Sequence, residues 1–60
     1  MRDIYFAVYA NDGEIPLLVT RHYKDTCKFT DALINAGNGC SVIETSANGI
    51  RCILEVKAKC

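Results

Sequence analysis

The side chains best suited to bind a metal or to act in catalysis in this 60-residue chain are four cysteines and a single histidine. A structural zinc site is built from Cys and His ligands in short, paired spacings. The cysteines are widely separated, contain no Cys-x-x-Cys pair, and have one histidine to join them. We therefore predict no metal site and no cofactor for the residues in question, which are Cys27, Cys40, Cys52, Cys60 and His22.

Catalysis is not expected either. The positions of the cysteines and the histidine give no support to a cysteine–histidine catalytic pair. The sequence also contains no nucleophile elbow and no phosphate-binding loop. A fold with one short helix on a small sheet also leaves little room for a cleft. The sequence thus predicts a protein that is not an enzyme.

The start of the chain bears on the thiols. Met1–Asp3 leads directly into a strand-like run without a secretory signal, so a cytoplasmic protein with reduced thiols is expected. Two disulfides of undetermined connectivity are the alternative. Cys52 is predicted to face the core as a small apolar residue.

Composition limits the partners. Half of the residues are hydrophobic, as in a globular protein, and seven Lys and Arg balance seven Asp and Glu. A neutral chain lacks the basic field that drives binding to a phosphate backbone. Residues 1–60 are expected to form a single small domain, with no membrane-spanning segment and no general affinity for nucleic acid.

The clearest structural signal is Asn48-Gly49, which lies between two strand-like runs. This dipeptide is typical of a two-residue β-hairpin loop. With that loop, Ile43 faces Leu54, and facing residues share one face of a sheet. The predicted core face of the hairpin consists of Ile43, Ile50, Cys52, Leu54 and Val56, and its other face of Glu44, Ser46, Arg51, Glu55 and Lys57.

A first hairpin is predicted nearer the N-terminus, with Asp12-Gly13 as its loop and Pro16 before its second strand. This loop places Val8 opposite Leu17. One face is then apolar (Ile4, Phe6, Val8, Leu17, Val19), and the other carries Tyr5, Tyr9, Leu18, Thr20 and His22. A longer loop with a bulge would shift this register.

Between the hairpins the sequence predicts a short helix. Asp25 or Thr26 is expected to cap its N-terminus, and Gly37-Asn38-Gly39 to end it. A shorter helix capped by Thr30 is the open variant. The expected apolar stripe consists of Phe29, Ala32, Leu33 and Ala36, with Thr30 and Ile34 outside it.

The order strand, strand, helix, strand, strand predicts an α+β fold, ββαββ. We expect a four-stranded, mainly antiparallel sheet with one helix packed on one face. The sequence does not determine the strand order, but the fourth strand is the longest and is expected in the middle. The closing hairpin is the expected bed for the helix.

The face of the sheet opposite the helix is the predicted functional surface. Aromatic rings on an open sheet stack on bases in some RNA-binding domains, and mixed aromatic and aliphatic groups mark protein interfaces. The plain alternative is that tyrosines simply suit strands. The candidate partner-binding residues are Tyr5, Tyr9, Leu18, His22, Arg51 and Ile53, with Val42 beside them.

By size and build, the chain resembles the small accessory proteins encoded in the early regions of temperate bacteriophages and prophages. The features that carry this resemblance are the leaderless start, the tyrosine-rich first hairpin (Ile4–Tyr23), the short helix, and the final Lys57-Ala58-Lys59-Cys60. The resemblance implies a protein that binds a host or phage protein in the host cytoplasm and alters its activity. It carries over no functional residue.

These observations favour a small, non-enzymatic binding or regulatory protein that acts by protein–protein contact or self-association. Two alternatives remain. One is a binder of single-stranded nucleic acid that uses Tyr5, Tyr9 and Arg51. The other is a small structural subunit of an oligomeric assembly.

Overall fold

A computed structural model describes residues 4–58 of the chain. Within this range the elements follow the predicted order and confirm the α+β, ββαββ fold: β1 (Tyr5–Ala10), β2 (Leu18–Thr20), α1 (Tyr23–Asn35), β3 (Cys40–Ser46) and β4 (Gly49–Val56). The expectations that concern Met1–Asp3, Lys59 and Cys60 fall outside the described residues.

The strands form an antiparallel sheet in the order β2-β1-β3-β4. β1 pairs with β3 along its whole length, from Tyr5 opposite Thr45 to Ala10 opposite Cys40. This long pairing joins the two hairpins through their first strands and leaves β2 and β4 at the edges. The expectation that the fourth strand lies in the middle is therefore wrong.

The core lies where the helix crosses the two central strands. Its buried apolar residues are Phe6, Val8, Cys40 and Val42. The helix lies across β1, β2 and β3, and its Phe29, Leu33 and Ile34 pack against this core. The closing hairpin therefore contributes to the bed of the helix through Cys40 and Val42 of β3. The predicted bed is wrong, because it named the other face of β3, and β4 lies at the edge of the sheet.

The first hairpin has a longer loop than predicted. A turn closed by the Gly13 amide on the carbonyl of Ala10 (3.0 Å) begins a loop that runs to residue 17. Val8 consequently faces Leu18, one residue later than expected. This shift moves Leu18 to the helix side of the sheet and leaves Val19 on the other side, so the predicted grouping of Val19 with Val8 is wrong.

The shifted register can be tested with a matched pair of valines. Val8 has no exposed surface, whereas Val19 is 56% exposed. We expect Val8→Ala to lower the free energy of unfolding by about 2 kcal/mol, from lost burial and a residual cavity. Val19→Ala should change it by less than about 0.5 kcal/mol. Urea denaturation measures both, and equal losses would contradict this register.

The closing hairpin departs from its prediction twice. Its loop is Ala47-Asn48, with Ser46 opposite Gly49. A type I′ loop needs positive φ at both central residues, but the positive φ of this turn lies on Gly49, at +125°. Near the tip, each residue of β3 therefore faces a residue of β4 two positions earlier than predicted. Because the shift is by two positions, residues that were predicted to share a face still do so.

A β-bulge in β4 then reverses the alternation. Ile43 faces Cys52 but Val42 faces Leu54, so Ile53 is an extra residue in β4. Leu54 and Val56 lie on the helix side opposite Val42 and Cys40, as predicted for a core face. Three other members of the predicted core face, Ile43, Ile50 and Cys52, lie on the opposite side, so that part of the prediction is wrong.

The helix begins earlier than predicted, at Tyr23, with His22 as the N-cap. The predicted caps Asp25 and Thr26 lie inside its first turns. Thr26 is buried, and both its amide and its hydroxyl donate to the carbonyl of His22 (3.2 and 3.3 Å). Asp25 contributes a negative charge near the positive end of the helix dipole.

Buried threonines also replace part of the predicted apolar stripe. Thr30 is buried, and its hydroxyl donates to the carbonyl of Cys27 at 3.0 Å. Because the helix backbone satisfies the hydroxyl, the methyl group can face the sheet at little cost. Thr30 is thus neither a cap nor outside the stripe, and Ala32 and Ala36 are exposed.

The predicted end of the helix is confirmed. Gly37 has φ +85°, and its amide donates to the carbonyl of Ile34 while the Asn38 amide donates to the carbonyl of Leu33, both at 2.9 Å. These two bonds form a Schellman motif, which satisfies the last carbonyls of the helix.

The side chain of Asn11 ties the loop after β1 to the segment after β4. Its Nδ2 donates to the carbonyl of Val56 at 2.9 Å, and its Oδ1 accepts from the amide of Ala58 at 2.8 Å. The amide group passes over Gly39, where an added Cβ would overlap Oδ1 of Asn11 and press on the Ala58 nitrogen. Glycine is therefore required at position 39 by close approach.

We expect Gly39→Ala to reduce the free energy of unfolding by roughly 1–3 kcal/mol, since a methyl group forces the Asn11 side chain away from both partners. Gly13→Ala is the matched control, because its Cβ would lie at an ordinary 3.4 Å from that of Ala10. Chemical denaturation compares the two variants. Equal stability of Gly39→Ala and the natural chain would show that this bridge contributes nothing.

Candidate interaction surface

The side of the sheet away from the helix, which we call the open face, is not covered by any other described element. Strand register places its residues in three rows that run across the sheet. From the hairpin tip outward these rows are Tyr5, Thr45 and Ile50; then Val19, Ala7, Ile43 and Cys52; then Tyr9, Ser41 and Glu55. Ile50 is 73% and Tyr5 36% exposed, so the surface has apolar and aromatic groups available for contact.

Arg21, just after β2, extends the first row. Its guanidinium lies 4.8 Å from the centre of the Tyr5 ring, and Nη2 donates to the Tyr5 hydroxyl at 2.6 Å. A cation–π contact and a hydrogen bond thus hold the two side chains together. This pre-organises a planar cation and an aromatic ring at one corner of the open face.

Two of the six predicted partner-binding residues, Tyr5 and Tyr9, lie on the open face as expected. Leu18 and Ile53 instead pack against the core on the helix side, and the neighbouring Val42 is buried. Their expected place on the open face is wrong. The one-residue shift of the first hairpin displaces Leu18, whereas Val42 and Ile53 lie on the helix side because β3 pairs with β1 so that Val42 faces Val8.

The remaining two candidates also lie elsewhere. Arg51 faces Glu44 on the helix side of the sheet, where Nε contacts Oε1 at 2.9 Å. With Arg51 74% exposed, this ion pair is worth at most about 1 kcal/mol. His22 is the exposed N-cap of α1, and its amide donates to Oγ1 of Thr20 at 3.0 Å.

Sequence reasoning missed several residues of this surface. The sequence places Val19, Ile43, Ile50 and Cys52 among the core residues and does not single out Arg21. The alternation of Tyr5 and Tyr9 against Phe6 and Val8 identified the face on β1. Extending it to the neighbouring strands required the correct register, which no local signal provided.

The three thiols within residues 4–58 do not gather into one site. Cys40 is buried in β3, Cys27 is half-buried on α1, and Cys52 is exposed on the open face, where its Sγ donates to the carbonyl of Leu54 at 3.3 Å. The prediction that Cys52 faces the core is wrong, and Cys40 takes that role. Burial raises the pKa of the Cys40 thiol above its ordinary value.

A small cleft of about 110 Å³ lies on the helix side, between α1 and β4. Tyr23 and Cys27 line it together with Ile53 and Leu54. A side-chain hydrogen bond with Cys27, followed by the charge of that thiol, raises the pKa of the Tyr23 phenol. Tyr23 also packs on Phe6, with ring centroids 5.5 Å apart, so it covers one edge of the core while more than half of its surface stays exposed.

These positions predict an order of thiol reactivity. In the native protein iodoacetamide should modify Cys52 first and Cys40 last, because the reactive thiolate must be both accessible and ionised. We expect the rate at Cys40 to be at least about 100-fold lower than in the unfolded chain.

Mass spectrometry of peptides from the native and the urea-unfolded protein measures these rates. Unfolding is the control, since it should bring the three rates close together. Native-state modification of Cys40 as fast as that of Cys52 would contradict the burial of β3.

Among residues 4–58, no group of three His, Cys, Asp or Glu side chains could hold a metal ion. The helix described in this part of the chain is too short and too polar to cross a membrane.

Comparison with protein-family models, with curated proteins and with solved structures gives no match to this chain.

Proposed function

We propose that this chain is a small, non-enzymatic binding protein that acts by contacting another protein through its open face. The observation that carries the proposal is the one-sided cover of the sheet. The helix packs on one face only, and the other presents Tyr5, Val19 and Ile50 to solvent. Apolar residues that are exposed together on one surface indicate a contact site, whereas apolar residues scattered singly over a surface do not.

The chemistry of the open face suits a protein partner. Tyrosine and arginine are enriched at the centres of protein interfaces, because both combine a flat apolar surface with hydrogen-bonding groups. Arg21 and Tyr5 are already held together in the free chain. Their side chains therefore lose little conformational entropy on binding, which favours affinity.

The absence of catalysis in this proposal rests on where the reactive side chains lie. His22 follows the end of β2 that pairs with Phe6, whereas Cys40 pairs with Ala10 at the other end of β1. Four residues of extended strand separate these levels by about 14 Å. Cys52 lies on the open face, so the histidine and these two thiols do not form a nucleophile–base pair.

The proposal includes a setting: a phage-type accessory factor in the host cytoplasm that alters the activity of a host or phage protein. Its support is the size and build of the chain, which joins a tyrosine-rich hairpin, a short helix and a closing hairpin in 60 residues. A small contact protein of this kind needs a surface and no cofactor.

The geometry gives no support to the nucleic-acid alternative. Its three residues do not share a face, because Arg51 lies on the helix side and is paired with Glu44. Arg21 occupies one face of the Tyr5 ring, so a base would have to displace it to stack there. Oligonucleotide binding serves as a control measurement.

The decisive test removes the aromatic rings of the open face. We expect Tyr5→Ala combined with Tyr9→Ala to weaken capture of the partner at least about tenfold, because aromatic anchors dominate interface energies. The measurement is affinity capture from host lysate with quantitative mass spectrometry, supported by circular dichroism to show that the variant is folded.

Ile15→Ala is the matched control. Ile15 is 80% exposed but lies in the loop between β1 and β2 rather than on the open face. Its replacement should leave capture unchanged. Equal capture by the double tyrosine variant and the natural chain would refute the proposal, and binding of oligonucleotides at low salt would favour the alternative.

A further inference from the structure

The open face carries two opposite charges at diagonally opposite corners. Arg21 lies beside Tyr5 at the β2 edge, in the row nearest the tip of the closing hairpin. Glu55 lies on β4 at the other edge, in the row of Tyr9 and Ser41. Between these corners the strands place no charged residue on the face. At its own corner Glu55 lines a shallow depression with Lys57, which follows β4, and with Asp12, so the three groups together carry one net negative charge.

The patch is close to square. Three strand spacings separate β2 from β4, which is about 14 Å, and the four residues from Tyr5 to Tyr9 also span about 14 Å. A square patch with opposite charges on one diagonal is complementary to itself when a second copy is turned over about the other diagonal.

We infer that the open face binds a second copy of this chain in a two-fold symmetric, face-to-face dimer. Arg21 then lies opposite Glu55 of the second copy, and Glu55 opposite Arg21 of the second copy. Ile50, at the corner on the symmetry axis, packs against its own counterpart. The strands of the two sheets cross at nearly right angles, one of the two favoured arrangements of packed sheets.

Other two-fold axes through the patch lose this complementarity. An axis along the charged diagonal places Arg21 on Arg21 and Glu55 on Glu55. An axis parallel to the strands places Arg21 on Ile50, the most exposed apolar residue of the face. Like-charge contacts and unpaired charges at an interface are costly, so the charges select one orientation.

The small area of the open face limits the stability of this dimer. Four strands and three rows of outward side chains cover roughly 400 Å² per copy, about half of what a standard stable interface buries on each side. The dimer is therefore weak and reversible, forms at high protein concentration, and becomes weaker as salt screens the two charge pairs.

The inference rests on the proposed function of the open face and adds the identity of one partner. Its test is an exchange of charges, followed by sedimentation equilibrium at up to about 1 mM protein, at low salt and with a reducing agent to exclude a disulfide through Cys52. Arg21→Glu alone places two carboxylates together at each contact, and Glu55→Arg alone places two cations together. Each variant should self-associate at least about tenfold more weakly than the natural chain.

An equimolar mixture of the two variants restores both attractive contacts. It should form a heterodimer within about threefold of the natural affinity, and the chain carrying both changes should again form a homodimer. Lys28→Glu and Asp31→Arg, both on the exposed side of α1, are the matched controls and should leave association unchanged. Circular dichroism verifies that every variant is folded.

A natural chain that remains monomeric at about 1 mM would overturn the inference. So would single variants that associate as well as the natural chain, or a mixture that associates no better than its components. A monomeric chain that still loses its lysate partner through Tyr5→Ala with Tyr9→Ala would overturn the dimer alone and leave the proposed function standing.

Discussion

The structure depends on how much of a sheet one short helix can cover. The 13 residues of α1 give a rod about 20 Å long and about 10 Å wide. The sheet beneath it is four strands wide, so the helix reaches β1, β2 and β3 and one face only. The position of the core on the two central strands and the exposure of β4 follow from this limited cover.

A core of this size leaves little margin. The fully buried apolar residues are few and lie on the two central strands, so stability is expected to be only a few kcal/mol. Polar contacts at the periphery of the fold add to this stability. Asn11 acts there as a substitute peptide group, since its amide satisfies the last carbonyl of β4 and one backbone amide of the segment that follows.

Local signals in the sequence were sufficient to predict the order of the helix and strands, and to predict which residues share a face on β1. Gly37 marked the end of the helix, and alternation along β1 separated Tyr5 and Tyr9 from Phe6 and Val8. The same alternation failed on β2, because a sheet has a period of two and a shift of one position exchanges its faces. Leu18 was misplaced for this reason. Arg51 and Ile53 were misplaced because the pairing of β1 with β3 puts Val42 opposite Val8, which turns the predicted outer face of the closing hairpin toward the helix.

The strand order was mispredicted for a different reason. The pairing of β1 with β3 joins residues far apart in the chain, and neither hairpin carries a signal for its neighbour. The buried threonines of α1 were also hidden from pattern analysis. Their hydroxyls bond to the helix backbone, so residues that are polar in composition behave as apolar ones in packing.

The marginal position of β4 also bears on dynamics. This strand pairs only with β3, receives little cover from the helix and holds a bulge at Ile53, whereas Asn11 secures its far end. Its amides should therefore exchange with solvent through local openings that begin at the hairpin tip and leave β1 and β3 intact. We therefore expect a rigid half built on the helix and a half that samples open conformations.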